Sequence, residues 1–218
     1  MYKFFIKRIL DYISAFVLLI LSSPLFVSIY ILLRIYNKKA GAFFFQKRVG
    51  YKGKTFNMIK FKSMNEEKDL NGFLLPDAER LTGIGRFIRR TSLDELPQLI
   101  NIIKGDMSLI GPRPLYVKYL GYYTKRENLR HSVLPGITGL AQVHGRNHVL
   151  WEERFEYDIY YAEHISFALD SKIFLLTIKK VIKREDIEAV PNLLDFDEYR
   201  RQQQNGVVFK SLEDALIK

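Results

Sequence analysis

Cysteine is absent from this 218-residue chain, which excludes a disulfide framework, a cysteine nucleophile and a thiolate-bound metal. Internal repeats and low-complexity blocks are also absent, and 48% of the residues are apolar, so a packed core is expected rather than disorder. Acidic residues are in the minority, since 24 Asp and Glu face 34 Lys and Arg, a net charge of +10. This excess favours polyanionic partners, which include nucleic acid, anionic lipid and phosphorylated substrates.

One long hydrophobic run is present near the N-terminus. Tyr12 to Leu33 carries no charged side chain, and its length matches the ~30 Å hydrocarbon core of a bilayer. Pro24 lies in the middle of the run, where it removes a backbone hydrogen bond and bends a helix. The hydroxyls of Ser22 and Ser23 can satisfy the freed carbonyls. The sequence therefore predicts a membrane-embedded helix that breaks at Ser23 and Pro24.

Basic side chains flank this run on both sides, and positive charge marks the cytoplasmic side of membrane proteins. They are Lys3, Lys7 and Arg8 before the run, and Arg34, Lys38, Lys39, Lys47 and Arg48 after it. A re-entrant helix that returns to the same leaflet keeps both clusters beside anionic headgroups. A kinked helix that crosses the bilayer is the alternative, because spanning helices tolerate proline.

The remaining pattern predicts an α+β, mostly helical protein with a small β-hairpin. Phe43–Phe45 and Thr55–Phe61 are typical of strands, and the segment between them contains Gly50 and Gly53, which favour a turn. Helical patterns follow at Leu96–Ile103, Val117–Arg130, Trp151–Glu163 and Lys172–Lys183.

These patterns also divide the chain by position. We expect residues 1–36 to form the membrane-embedded hairpin, residues 37–185 to form one compact domain, and residues 186–218 to form a tail without a functional interpretation. The segment Lys172–Lys183 interleaves apolar and basic residues. It could lie on the membrane surface, or pack on the core with a solvated basic face.

Residues 85–114 concentrate the side chains that suit phosphate chemistry. Ser92 and Glu95 have the spacing of a capping box, so helix capping is the ordinary explanation for this glutamate. Asp94 and Glu95 are adjacent, however, and a helix N-terminus favours negative charge. A carboxylate held ionised beside cations can attack phosphorus while a second acid binds a metal or moves a proton. The charged residues nearby are Arg86, Arg89, Arg90, Asp106 and Arg113.

Two further segments could contact a phosphorylated substrate. In Gly111–Pro114, flanking prolines fix the chain around Arg113, although such a tetrapeptide alone is usually a turn. Gln142, Arg146 and Asn147 lie in a glycine-rich stretch that could form a loop over a substrate, and a structural turn is an equally good explanation.

The chain resembles the monotopic phosphoglycosyl transferases, also called the bacterial sugar transferase family. The resemblance covers Lys7 to Arg184, and its motifs occur in the family's order. They are KRILD (7–11), Ser23-Pro24, QKRVG (46–50), KFKSM (60–64), SLDELPQL (92–99), KGDMSLIGPRP (104–114) and PGITGLAQVHGRN (135–147).

The resemblance implies an enzyme of the bacterial inner membrane, with its catalytic domain on the cytoplasmic face. Such an enzyme moves a sugar phosphate from a UDP-sugar to polyprenyl (undecaprenyl) phosphate, at the first membrane step of glycoconjugate synthesis. According to this resemblance, Asp94 attacks the β-phosphate of the donor, UMP leaves and a covalent intermediate forms. The resemblance also implies that Glu95 assists the nucleophile and that Mg²⁺ is required. Arg89 matches the arginine upstream of this pair. Lys60, Asp106 and Arg113 would surround the metal and diphosphate, with Asp106 as a further Mg²⁺ ligand.

Two other functions compete with this interpretation. A basic membrane-anchored binding module, for example for nucleic acid, explains the charge, but acids among the arginines would repel phosphate unless a metal bridges them. A metal-dependent phosphohydrolase would use the same pair with water as acceptor, and then needs no hydrophobic hairpin. We therefore expect the partners to be a UDP-sugar, polyprenyl phosphate and membrane lipid, and not nucleic acid. The sequence does not identify the sugar.

Overall fold

The computed structural model describes residues 1–37, 40–145, 149–183, 194–209, 211 and 213–215. This part of the chain is mostly helical with small sheets, as predicted. Its α-helices are α1 (Lys7–Leu21), α2 (Ser23–Tyr36), α3 (Asp77–Arg80), α4 (Gly83–Arg90), α5 (Gln98–Lys104), α6 (Leu140–Val143), α7 (Trp151–Glu163), α8 (Phe167–Lys183) and α9 (Phe196–Gln204). Its strands are β1 (Phe43–Val49), β2 (Thr55–Phe61), β3 (Ser108–Ile110) and β4 (Gly136–Thr138).

The N-terminal helices form a bent pair. In the described residues no single helix is both long and apolar enough to cross a bilayer, whereas Tyr2–Leu21 and α2 together are, with a bend of 63° between them. The bend falls at Ser22, and Pro24 occupies the first turn of α2, where its missing N–H costs little. The Ser23 hydroxyl donates to the Ile20 carbonyl at 2.7 Å. The predicted break is therefore present, one residue before its expected position.

The apolar side chains of this pair are largely uncovered. Eight of them along α1 and α2 are more than half exposed: Ile13, Phe16, Ile20, Leu21, Val27, Ile31, Ile35 and Tyr36. Large exposed apolar surfaces mark contact with a membrane or another protein.

The predicted β-hairpin is confirmed, and β1 extends four residues beyond the predicted Phe43–Phe45, to Val49. β1 and β2 pair in one sheet, and the 3₁₀ turn Tyr51–Gly53 joins them. Gly53 has a φ of +74°, the left-handed region that glycine adopts without strain.

A second sheet was not predicted. β3 and β4 are parallel, with Ser108 opposite Gly136 and Ile110 opposite Thr138. The backbones meet so closely that a Cβ on Gly136 would lie 2.1 Å from the Gly111 nitrogen. In the glycine-rich stretch, Gly136 therefore has a packing role.

One predicted helix is wrong. Val117–Arg130 is not continuous, because it contains two 3₁₀ helices, Val117–Tyr122 and Glu127–Ser132. The Thr124 N–H donates to the Glu127 carboxylate and the Glu127 N–H donates to the Thr124 hydroxyl, so a new helix begins at Glu127. Trp151–Glu163 is helical as predicted, and α8 begins at Phe167, ahead of the predicted Lys172. The tail contains α9, which was not predicted.

The contacts divide the chain into two compact units. The dyad unit, which contains Asp94 and Glu95, comprises Leu10–Gln46 and Asn57–Gly105. The arginine unit, which contains Arg113, comprises Met1–Ile9, Lys47–Phe56 and Asp106–Lys218. The division of the chain at residues 36 and 185 stays a prediction.

Each unit has buried apolar clusters of its own. In the dyad unit the cluster contains Ile29, Leu33, Ala42, Phe61 and Ile88, with Leu93 and Leu96 packed against it. In the arginine unit an aromatic cluster contains Leu115, Tyr119, Trp151, Phe155, Leu194, Phe196, Tyr199, Phe209 and Ala215. A second cluster there joins α8 to β3, α6 and α7 through residues that include Ile110, Leu140, Tyr161 and Ile173.

Candidate active site

Two adjacent carboxylates and one lysine meet in the dyad unit. Asp94 and Glu95 lie in the 3₁₀ turn Leu93–Glu95, between α4 and α5. From β2, the Lys60 Nζ lies 2.7 Å from Glu95 Oε1 and 3.6 Å from Asp94 Oδ2. Each of the three side chains is only 14–17% exposed. The charges are therefore close together and partly shielded from water, where ion pairing is stronger than at the surface.

The predicted capping box is wrong. Ser92 has a φ of +55°, and its side chain makes no capping hydrogen bond. The Glu95 carboxylate contacts Lys60 instead. The spacing typical of helix capping thus contains a glutamate whose hydrogen-bond partner is Lys60 of β2, 35 residues earlier in the chain.

The surroundings of the turn explain its placement. Leu93 and Leu96 pack against the cluster that contains Leu33 of α2. These apolar contacts hold both ends of the turn and leave the carboxylates on its other side, beside Lys60. The carboxylate turn and α2 therefore share one core.

Asn101, which was not among the predicted site residues, holds β2 beside α5. This side chain is fully buried; its Oδ1 accepts from the Ile59 N–H at 3.0 Å and its Nδ2 donates to the Asn57 carbonyl at 2.8 Å. These bonds fix the strand next to Lys60. An asparagine on the apolar face of a predicted helix was the available signal, because a buried amide requires partners.

Arg89 lies on α4 of the same unit, and its side chain is exposed apart from one contact. Its Nε donates to Ser63 Oγ at 2.7 Å. The backbone of α4 approaches Ser63 closely, since a Cβ on Gly85 would lie 1.8 Å from the Ser63 carbonyl oxygen. The helix that carries this arginine is thus fixed against the chain after β2.

The carboxylate pair has the donor atoms that magnesium prefers. Within the described ranges, no group of three or more His, Cys, Asp or Glu could hold a metal. Mg²⁺ is usually held by one or two carboxylates together with substrate phosphates, and Asp94 and Glu95 fit that donor set. Asp106 belongs to the arginine unit, so its predicted role as a ligand is not tested.

In the arginine unit, the exposed Arg113 lies beside a depression of about 170 Å³. The lining residues are Val49, Gly50, Pro112, Arg113, Pro114, Arg130, His131, Val133 and Pro135. This volume includes space that is open to solvent, so the depression is a shallow part of the surface around Arg113 rather than an enclosed ligand pocket.

A buried ion pair supports the loop that carries Arg113. Arg130 and Asp158 are each 2% exposed, and Arg130 Nη2 lies 2.7 Å from Asp158 Oδ2. The same Nη2 donates to the Arg113 carbonyl at 2.8 Å. Burial and the neighbouring Arg130 charge lower the pKa of His131 to about 4, so this histidine is neutral at pH 7.

Two more arginines of this unit lie on aromatic rings. The Arg48 guanidinium is 3.6 Å from the centre of the Tyr116 ring, and that of Arg154 is 4.2 Å from the centre of Trp151. Burial lowers the pKa of Arg154 to about 10, which still leaves it charged at neutral pH. Arg130 and Arg154 were not predicted, because nothing in their local sequence distinguishes them from surface charges.

The glycine-rich segment is only partly described. Gln142 of α6 is buried, and its Nε2 donates to the Ile137 carbonyl at 3.3 Å. Arg146 and Asn147 lie outside the described residues. The predicted substrate contacts of these three residues remain predictions.

Sequence comparison identifies the family. The model of the bacterial sugar transferase family matches residues 2–184. The chain belongs to this family. The match ends before the tail, so α9 lies outside the part that defines the family.

Relatives of this chain include proteins of similar length and proteins that are much longer. An uncharacterized sugar transferase, EpsL of Bacillus subtilis, is 48% identical over 84% of this chain and 90% of its own length. The undecaprenyl-phosphate galactose phosphotransferase of Salmonella typhimurium is 38% identical over 83% of this chain. The UDP-glucose:undecaprenyl-phosphate glucose-1-phosphate transferase of Klebsiella pneumoniae is 40% identical over 80%. The chain spans 41% and 39% of the length of these two.

Proposed function

We propose that this chain transfers a sugar phosphate from a UDP-sugar to undecaprenyl phosphate. The name of the Klebsiella relative describes this reaction for UDP-glucose, and that of the Salmonella relative describes a galactose phosphotransferase of undecaprenyl phosphate. The observation that carries the proposal is the cluster of Lys60, Asp94 and Glu95, in which one cation lies against two partly buried carboxylates. Such a cluster can present an ionised carboxylate to an electrophilic phosphorus.

The first step forms an aspartyl phosphosugar. A carboxylate oxygen of Asp94 attacks the β-phosphorus of the donor, and the bond from this phosphorus to the oxygen bridging the two phosphates breaks. UMP leaves with the electron pair of that bond. Lys60 reduces the repulsion between the two carboxylates and the approaching phosphate oxygens. Glu95 accepts the nearer contact from Lys60, which keeps this lysine beside the nucleophile.

The second step regenerates the carboxylate. A phosphate oxygen of the lipid attacks the same phosphorus, the bond to Asp94 breaks, and the product is a polyprenyl diphosphate sugar. Asp94 and Glu95 would hold magnesium, and this ion would supply neutralisation of the phosphate charge. Arg89 and Arg113 would bind the anionic oxygens, because a guanidinium matches the geometry of phosphate.

The lipid acceptor is supported by the helix pair. The turn that carries Asp94 packs through Leu93 and Leu96 into the same core as α2, whose outer face is apolar and exposed. We propose that α1 and α2 form a re-entrant hairpin, with the catalytic part on the cytoplasmic face. A hydrolase with water as acceptor would need no such surface.

The test uses purified protein in lipid nanodiscs with Mg²⁺ and a panel of UDP-sugars. With undecaprenyl phosphate, we expect repeated release of UMP and a lipid-linked sugar phosphate. Without the lipid, we expect at most about one UMP per enzyme and a mass increase of one sugar phosphate on Asp94. Repeated UMP release without lipid would indicate a hydrolase.

Asp94→Asn should remove both the mass increase and turnover, because an amide is a poor nucleophile, while circular dichroism stays that of the folded protein. Asp77→Asn is the matched control, since this carboxylate is 74% exposed and forms a local ion pair with Arg80, three residues later. An adduct on another residue, or normal turnover of Asp94→Asn, would contradict the mechanism.

A further inference from the structure

The C-terminal segment, whose described residues are 194–209, 211 and 213–215, is not a loose tail. It lies beyond residue 184, where the family match ends. Leu194, Phe196, Tyr199 and Phe209 are each at most 8% exposed and belong to the aromatic cluster of the arginine unit. A segment outside the family's common part therefore completes a core inside it.

Phe196 occupies a central position in this cluster. It is fully buried, and its ring centre lies between 4.9 and 5.4 Å from those of four other rings. They are Tyr119, Tyr123, Trp151 and Phe155. Leu115, the residue after Pro114, is in the same cluster. The chain beside Arg113 thus enters the core that Phe196 fills.

The rings around Phe196 also support two arginines, of which Arg130 is buried and Arg154 is half-buried. The guanidinium of Arg154 lies over Trp151, and that of Arg130 lies 5.6 Å from the centre of the Phe155 ring. Arg130 in turn donates to the Arg113 carbonyl. Packing therefore continues from Phe196 through one ring and one guanidinium to the backbone of Arg113.

Polar contacts attach the segment to the same elements. The Trp151 indole donates to the Leu194 carbonyl at 3.2 Å, and Glu152 accepts from the Tyr199 hydroxyl at 2.5 Å. Further contacts join Gln203 to Glu152, Arg200 to Glu127, and Lys118 to Asp195 and Asp197. These bonds link α9 and its approach to α7 and to both 3₁₀ helices that follow the Arg113 loop.

We propose that the C-terminal segment is a positioning element for the loop Gly111–Pro114, and that Phe196 is its principal residue. The proposal rests on the proposed function, in which Arg113 binds the donor diphosphate. Removing the Phe196 ring leaves a cavity beneath Trp151 and Phe155, into which the supporting guanidinium groups can shift. Arg113 then loses part of its fixed orientation, and binding of the diphosphate becomes weaker because more freedom is lost on binding.

The experiment compares three full-length variants in nanodiscs: Phe196→Ala, Phe196→Leu and Val208→Ala. Val208 lies in the same segment and is 71% exposed, so it is the matched control. The readouts are UDP binding by calorimetry, KM for the UDP-sugar, KM for the lipid, and kcat. Trp151, the chain's single tryptophan, contacts Phe196, and its fluorescence reports whether the segment stays docked.

For Phe196→Ala we expect about tenfold weaker UDP binding and a similar rise in the KM for the UDP-sugar. The lipid KM and kcat should change much less, and Val208→Ala should match the wild type. Phe196→Leu keeps most of the volume and should weaken UDP binding about threefold, so it carries the test if Phe196→Ala fails to fold.

Unchanged UDP binding in a variant with altered Trp151 fluorescence would overturn the proposal. So would parallel losses in kcat and in both KM values, because they indicate a general structural role. Different results would contradict the proposed transferase function and the proposed positioning role. Wild-type protein that binds UDP but transfers no sugar phosphate contradicts the proposed function, and the Phe196 comparison of UDP binding still decides the positioning role. If the wild-type protein binds no UDP, the proposed positioning role of Phe196 is overturned.

Discussion

At the residue scale, Lys60 is the cation on which the proposed nucleophile depends. Two adjacent carboxylates that are mostly shielded from water repel each other and any incoming phosphate. Lys60 contacts both, and the Asn101 side chain fixes the strand beside it. The charge is therefore held in place before substrate arrives, which is how preorganised electrostatics lowers a barrier.

Lys60→Gln should lower kcat about 100-fold, because the charge that offsets the carboxylates and phosphate is lost. UMP release in nanodiscs measures the effect. Lys68→Gln is the control, since this lysine is an exposed cation of the same unit. A kcat for Lys60→Gln equal to that of the control would remove Lys60 from the mechanism.

The sequence could identify the chemically active residues better than their partners. Asp94 and Glu95 stood out because adjacent acids among arginines are unusual. The ordinary explanation of Glu95 as a helix cap failed, because capping spacing is local whereas its actual partner is Lys60. The pairing of Arg130 with Asp158 depends on burial of both, and local sequence carries no sign of burial for a charged residue.

At the scale of elements, the parallel pair β3 and β4 fixes where the Arg113 loop begins. Gly111 follows β3 directly, and the Gly136 nitrogen donates to the Pro112 carbonyl at 3.0 Å. Contact this close leaves no room for side chains, so glycine is required by packing.

Gly136→Ala should lower the free energy of unfolding by about 1–3 kcal/mol or more, because the new methyl group collides with backbone that cannot move away cheaply. Thermal or denaturant unfolding in detergent measures the change. Gly121→Ala is the control, since a Cβ there meets nothing within 4 Å. If the two variants had equal free energies of unfolding, the backbones at Gly111 and Gly136 would be able to move apart without loss of stability, which would contradict the prediction.

Element prediction succeeded where periodicity was long and failed where it was interrupted or short. Trp151–Glu163 repeats apolar positions over three turns, and the helix is found with those bounds. Val117–Arg130 has a similar pattern, but Thr124 interrupts it through hydrogen bonds that periodicity does not register. α9 is highly polar, and its two buried aromatic residues gain their partners only from distant elements.

At the scale of the whole molecule, charge and apolar surface favour the same location. The chain carries a net charge of +10, and the bent helix pair exposes apolar side chains along both helices. Basic residues before and after the pair favour the cytoplasmic leaflet for both ends. The bend of 63° is a feature of a re-entrant hairpin and of a kinked span alike, so the position of the two ends decides between them.

The absence of native cysteine makes that position measurable with single cysteines. Phe4→Cys and Tyr36→Cys place thiols at 77% and 60% exposed positions near the two ends of the pair. In a re-entrant hairpin, a membrane-impermeant maleimide should label neither site in intact cells and both after permeabilisation, while an exported cysteine marker is labelled throughout. Labelling of one site in intact cells would show a helix that crosses the bilayer. The basic residues at one end would then lie outside, against the charge bias that favours the hairpin.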